Sequence, residues 1–177
     1  VNERGVGLSL SRKVALAAFF GSIVFISKVL LPSPIDKVLI VVQALFLGLG
    51  AIMLAPLGAT FVALSGGLLT AVWRAPTAFY TVSFAVIYGL LVDGFYLALK
   101  VQRKEGEVSR SRLALAVTVS TAVIGMMSYY VTVFVFQLLP RNLTFEIGML
   151  VAGTLSGLAG GYMAGLVWEK SIRHLVK

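Results

Sequence analysis

The chain has 177 residues, 59% hydrophobic and only 12% charged, where a soluble domain carries about 25% charged residues. That leaves no room for a soluble domain of useful size and makes one integral membrane domain the expectation. With no cysteine and a single histidine, His174, the chain excludes disulfides, thiol catalysis, Cys-ligated metals, His triads and His-cluster metal sites.

Residues 1–13 are polar and basic and predict a cytoplasmic N-terminal segment. The first apolar run is 14–31. Lys28 and Leu31-Pro32-Ser33-Pro34 do not make the small-x-small site of a cleaved signal peptide, so the run is expected to stay as a helix. Ala17 and Gly21 form a small-xxx-small pair on it, with Ala18 and Ser22 beside them. Pro32 and Pro34 then break the helix. The second run, 38–54, ends in the tight connection Ala55-Pro56-Leu57-Gly58. The third, 57–72, carries the small row Ala59, Ala63, Gly67 and Ala71 and closes at Trp73-Arg74-Ala75-Pro76. The fourth is 77–99, and Lys100 to Arg112 is the one long charged stretch. The fifth run, 113–139, closes at Pro140-Arg141-Asn142.

The sixth run, 146–168, repeats small residues every four positions. One row is Gly153, Gly157, Gly161 and Gly165; the other is Gly148, Ala152, Ser156, Gly160 and Ala164. Residues four apart share a helix face, so this helix has a broad side almost without side chains. In water that is costly, but in lipid it lets neighbouring backbones approach closely. A basic tail, 169–177, follows.

The sequence therefore predicts an all-α fold: an integral membrane bundle of six transmembrane helices with both termini on one side. Eleven basic residues fall on that side: Arg4, Arg12, Lys13, Lys100, Arg103, Lys104, Arg110, Arg112, Lys170, Arg173 and Lys177. Lys28, Lys37, Arg74 and Arg141 fall on the other. The positive-inside rule makes the terminal side cytoplasmic and predicts a multi-pass protein of the plasma membrane. The net charge of +8 is thus read as topology, with anionic-lipid contact, and not as nucleic-acid binding.

Ionisable groups inside membrane helices are rare and mark function or a specific partner. Asp93 follows Ala85 and Gly89 in steps of four and faces the bundle. It reads either as a coupling contact or as a structural hydrogen bond or ion pair, with Arg12 or Lys13 as candidate partners. The outer ends hold Lys28, Asp36, Gln43, Trp73, Arg74, Tyr80, Tyr129, Tyr130, Gln137, Arg141, Asn142 and Glu146. Aromatic faces with a few amides and acids suit a pocket for a flat or cationic small molecule. Trp and Tyr also form interfacial belts, Lys28 can snorkel, and Glu146 suits a helix N-terminus. The substrate-binding candidates are Gln43, Trp73, Arg74, Tyr80, Tyr129, Tyr130, Gln137, Asn142 and Glu146. No nucleophile–base pair, paired catalytic carboxylates, metal cluster or P-loop is present, so no enzyme, cofactor or metal is expected.

Leu47-Gly48-Leu49-Gly50, Ala55-Pro56-Leu57-Gly58-Ala59 and Leu64-Ser65-Gly66-Gly67-Leu68 resemble the substrate-binding S components of energy-coupling factor (ECF) transporters. Ala17-x-x-x-Gly21 is similar to that family's helix-one motif for the coupling subunit, with Gly in place of the second Ala. Ala75-Pro76, Tyr88-Gly89-Leu90-Leu91-Val92-Asp93-Gly94-Phe95, Leu155-Ser156-Gly157 and Ala164-Gly165-Leu166 resemble its thiamine and hydroxymethylpyrimidine group. The resemblance implies capture of a vitamin-like molecule at the outer face. It also implies docking through Ala17, Ala18, Gly21 and Ser22 on a coupling subunit driven by two cytoplasmic ATPases. The rival expectations are a six-span scaffold of a cell-shape complex, a lipid-modifying enzyme and a self-sufficient carrier. The last two lack, respectively, a polar catalytic set and inverted repeats.

Overall fold

The computed structural model describes residues 9–30, 39–102, 107–137 and 141–173. Expectations resting on Pro32, Pro34, Asp36, Lys37, Pro140 and His174 lie outside the described residues. Six α-helices make up the fold: α1 Leu10–Val29, α2 Ile40–Met53, α3 Gly58–Trp73, α4 Ala78–Ala98, α5 Arg110–Phe134 and α6 Leu143–Val167. A short 3-10 turn, Ala75–Thr77, leads into α4, and a π turn, Trp168–Ile172, extends α6. Among the described residues there is no strand, only an isolated bridge between Gln102 and Val108.

Four segments, Leu10–Val29, Ala75–Ala98, Arg110–Phe134 and Leu143–Ile172, are long and apolar enough to cross a membrane. By length and composition this is a membrane protein. The other two, α2 and α3, have 14 and 16 residues and span about 21 and 24 Å. That falls short of a hydrocarbon layer of about 30 Å. Two helix ends differ from the sequence reading. The fifth helix stops at Phe134, and Gln137 sits beyond it at φ 51° instead of inside the helix. The sixth starts three residues early, because the Asn142 side chain accepts the Thr144 N–H at 2.9 Å and caps it.

The helices close into a ring in the order α1, α3, α4, α5, α6, α2, with α2 also packed on α3. Close approaches fix their directions. Gly21 meets Ser65 and Gly66, so α1 and α3 run parallel, and the Arg74 guanidinium donates to the Lys28 carbonyl at 2.9 Å near their ends. Gly67 meets Ala85 while Gly89 meets Thr60, so α3 and α4 are antiparallel. Tyr80 reaches Ser128 and Tyr88 reaches Thr121, so α4 and α5 are antiparallel too. The start of α1 and the end of α6 therefore share one end of the bundle, the terminal end; the other is the far end.

The glycine rows of α6 do two jobs. Gly153, Gly157, Gly161 and Gly165 lie against α5. In the second row Gly160 and Ala164 meet Ala44 and Gly48 of α2, while Gly148 faces open space. Helix α2 is the inner member, buried without a break from Leu47 to Met53. Such all-round burial suits a helix that is apolar on every side. After the cis Ala55–Pro56 bond α3 crosses α2 so closely that a side chain at Gly58 would run into the Gly50 carbonyl.

Candidate functional site: a polar layer in mid-bundle

The core is divided along its length. The fully buried apolar side chains Leu47, Val62, Val92, Val101, Leu113 and Val117 lie from the middle of the bundle to the terminal end. The fully buried polar ones, Thr70, Ser120 and Thr121, lie from the middle to the far end. Val24 of α1 and the Asp93 carboxylate, 2% exposed in the terminal half, are exceptions to this partition. Thr70, Ser120 and Thr121 each donate to the carbonyl four residues back, at 2.7, 2.8 and 2.7 Å, which makes them cheap to bury in a helix. Tyr88 of α4 adds its hydroxyl, 2.7 Å from Thr121 Oγ1. Since the Thr121 proton goes to the Val117 carbonyl, Tyr88 is the donor of that pair.

Gln43 lies about level with this layer along the bundle. A Cβ at Gly48 would lie 3.6 Å from Val117 Cγ2, which puts α2 and α5 in register there. One turn towards the far end on both helices brings Gln43 and Ala44 level with Thr121. On α2 the α3 contact is Gly50 and the α6 contacts are Ala44 and Gly48; Gln43 and the fully buried Leu47 occupy the arc between them. Gln43 is 8% exposed, yet its carboxamide makes no hydrogen bond to any described residue. Its polar atoms are also not among those both sealed and unpaired, which among the described residues are Tyr96 Oη, Glu146 Oε1 and Trp168 Nε1.

Of the other predicted binding residues, Tyr129, Tyr130 and Asn142 meet, Tyr129 lying edge-on to Tyr130 at 5.6 Å and hydrogen-bonded to Asn142. Trp73 is 67% exposed. Arg74 is held against Lys28. Tyr80 lies in the α4–α5 seam, donating to the Ser128 carbonyl at 3.3 Å, with its ring 4.3 Å from Phe84 and edge-on to Phe136 at 5.1 Å. Tyr129 accepts the Asn142 N–H at 3.3 Å and donates to the Asn142 carbonyl at 3.4 Å, so these two fasten α5 to α6. Tyr130 stacks on Phe134 at 6.0 Å, and Gln137 is exposed beyond the helix. Glu146 pairs with Arg141 at 3.5 Å. Gln43 therefore sits apart from the rest, while Tyr88, Ser120, Thr121 and Thr70 were not singled out from sequence.

Asp93 and helix α1 also turn out differently. Asp93 accepts from the Ala59 N–H at 3.1 Å and from the Thr60 N–H and hydroxyl at 2.8 and 2.7 Å. It caps α3 across a span of 33 residues, where Leu57 at the cap position has no side-chain acceptor. Its observed partners are thus the α3 N-terminus, not Arg12 or Lys13. On α1, Ala17 and Gly21 face α3, with Ser65 Oγ donating to the Ala17 carbonyl at 2.9 Å. Only Ala18 and Ser22 of the four docking candidates turn away from the bundle, exposed and half-buried respectively.

At the terminal end Arg110 binds Glu169 through two nitrogens, and Arg173 pairs with Glu107 at 3.7 Å, tying α5 to the end of α6. Among the described residues no group of three His, Cys, Asp or Glu is placed to hold a metal. No protein-family model, curated protein or solved structure matches the chain.

Proposed function

We propose that the protein is the substrate-capture subunit of an ECF-type vitamin uptake transporter, a six-span protein of the plasma membrane. In this reading the terminal end is cytoplasmic, and a small molecule enters from the far end and stops at the Gln43–Tyr88–Thr121 layer. The observation that carries it is the arrangement of the core: packed aliphatics surround the hydrogen-bonded Asp93 in the terminal half, while buried hydroxyls and the Gln43 carboxamide lie above them. A binding protein open to one side needs such a floor and such polar groups. A scaffold would be expected to fill both halves with aliphatics. The favoured ligands are thiamine or hydroxymethylpyrimidine, and the partners are a coupling subunit and two cytoplasmic ATPases. In this reading the short α2 and α3 complete the six spans, α2 as the inner helix and α3 with Phe61, Leu68, Leu69 and Val72 on an exposed face.

Calorimetric titration of the purified chain with thiamine, hydroxymethylpyrimidine, riboflavin and biotin tests this. Saturable binding of one of them is expected; heat-silent titrations throughout would overturn it and favour the scaffold. Tryptophan quenching is a poor readout, since Trp73 lies outside the layer and Trp168 is buried at the terminal end. Docking is tested on the outward pair. Ala18→Leu with Ser22→Leu is expected to prevent copurification with ECF subunits while leaving the thermal midpoint of the isolated chain within about 2 °C. Gly21→Leu is unsuitable, because it strikes Ser65 and Gly66 inside the bundle.

A further inference from the structure

We infer that one alkali cation binds beneath the α2–α3 turn, held by the Asp93 carboxylate, the Tyr96 hydroxyl oxygen and main-chain carbonyls at the end of α2. The site stands apart from substrate capture and needs no captured molecule. Two helix ends meet at this turn and are served unequally. The start of α3, which carries partial positive charge, has Asp93 as its acceptor. The end of α2, which carries partial negative charge, receives only the Leu54 N–H, on the Gly50 carbonyl. The carbonyls of Ala51, Ile52 and Met53 accept no hydrogen bond from any described residue, although these residues are only 1, 3 and 7% exposed.

These oxygens face one layer. Gly160 lies against Ala44 and Ala164 against Gly48, so α2 runs parallel to α6 and its free carbonyls point to the terminal end. Helix α3 runs the other way, so its free N–H groups point back to the same end. There the Asp93 carboxylate accepts from Ala59 at 3.1 Å and from Thr60 at 2.8 Å. The two helix ends touch: a Cβ on Gly58, next to Ala59, would strike the Gly50 carbonyl and lie 2.8 Å from Leu54 Cβ. Tyr96 is three residues past Asp93 on the buried side of α4, one turn closer to the terminal end, and its hydroxyl is within the field of that carboxylate. It is 3% exposed, and its hydroxyl is sealed and donates to nothing described.

Charge selects the ligand. Asp93 is 2% exposed and forms no ion pair with any described residue. Buried carboxylates are paired or hold cations. Its Oδ1 accepts only the Ala59 N–H, which leaves a lone pair for an ion. One carboxylate among neutral oxygens suits a monovalent ion, whereas calcium sites gather several carboxylates. Carbonyls at the end of a short buried helix serve sodium in this way in membrane transporters. Trp168 Nε1, also sealed and unpaired, is a donor only and takes no part. Clusters of His, Cys and acids are the usual sequence signs of a metal, and main-chain oxygens leave none.

The test replaces N-methyl-D-glucamine chloride by sodium or potassium chloride at constant ionic strength and follows the thermal midpoint of the detergent-purified chain. A saturable rise of about 5–10 °C in an alkali salt is expected at a hundred times the dissociation constant. Asp93→Asn lowers the midpoint in every salt, because it weakens the α3 cap, and should also weaken the alkali ion at least tenfold. Tyr96→Phe, which keeps the ring and loses one oxygen, should weaken it severalfold and serves if Asp93→Asn does not fold. Equal midpoints of the wild type in all three salts would overturn the site. An alkali-specific rise that survives unchanged in Asp93→Asn, or in Tyr96→Phe where that variant alone folds, would place the ion elsewhere and overturn it too.

Discussion

Asp93→Ala is expected to lower the thermal midpoint of the purified chain by about 10 °C. The carboxylate is 2% exposed and accepts three hydrogen bonds, two of them from backbone N–H groups that no helical carbonyl can reach. Removing it strands those donors in a buried position, at a cost of about 3 kcal/mol. At roughly 2–4 °C per kcal/mol for a chain of this size, the shift follows. Asp93→Asn keeps one acceptor oxygen but turns an NH2 towards the amides, so its midpoint should fall between wild type and Asp93→Ala. An Asp93→Ala protein that melts like wild type, with only its transport impaired, would show that the residue acts in coupling and not as the cap of α3.

A still larger effect is expected on the bare side of α6. A Cβ at Gly160 would stand 2.6 Å from Ala44 Cβ and 2.7 Å from the Val41 carbonyl oxygen; at Gly157 it would stand 2.6 Å from Thr118 Cα. Most of these obstacles are backbone, which cannot step aside as a long side chain can. Gly160→Leu and Gly157→Leu should each cost about 4 kcal/mol or more and abolish the monodisperse peak in size-exclusion chromatography. Gly148→Leu, on the same helix, has nothing within 4 Å of its Cβ and should elute and melt as wild type does. If all three behaved alike, the glycines would not be the reason the helices can meet.

How far the sequence spoke for itself depended on whether a signal was local. The four-residue glycine period of α6 is local, and it marked the face that meets α5. Ala85, Gly89 and Asp93 likewise placed the acid on the face towards α3, but its partner lies 33 residues away at a helix start with no cap of its own. No local pattern announces that. On α1 the pairs Ala17/Gly21 and Ala18/Ser22 are one residue apart, about 100° on the helix, and equally small. Which pair turns inward is decided by Ser65 and Gly66 of another helix. Ser120 and Thr121 gave no warning because a hydroxyl bonded to its own helix is unremarkable in a membrane segment. Trp73 and Tyr130 are ambiguous for the opposite reason: aromatic residues at a span's end suit the lipid boundary as well as a ligand.

The shortness of α2 has a consequence for how the chain is made. Fourteen residues reach about 21 Å, so the nascent segment is too brief to be held in the bilayer by itself. Its stay depends on α3, joined to it by four residues, and on the later arrival of α6, whose Gly160 and Ala164 it rests against. In the proposed six-span arrangement, anchoring of this hairpin is therefore completed only once α6 has been made.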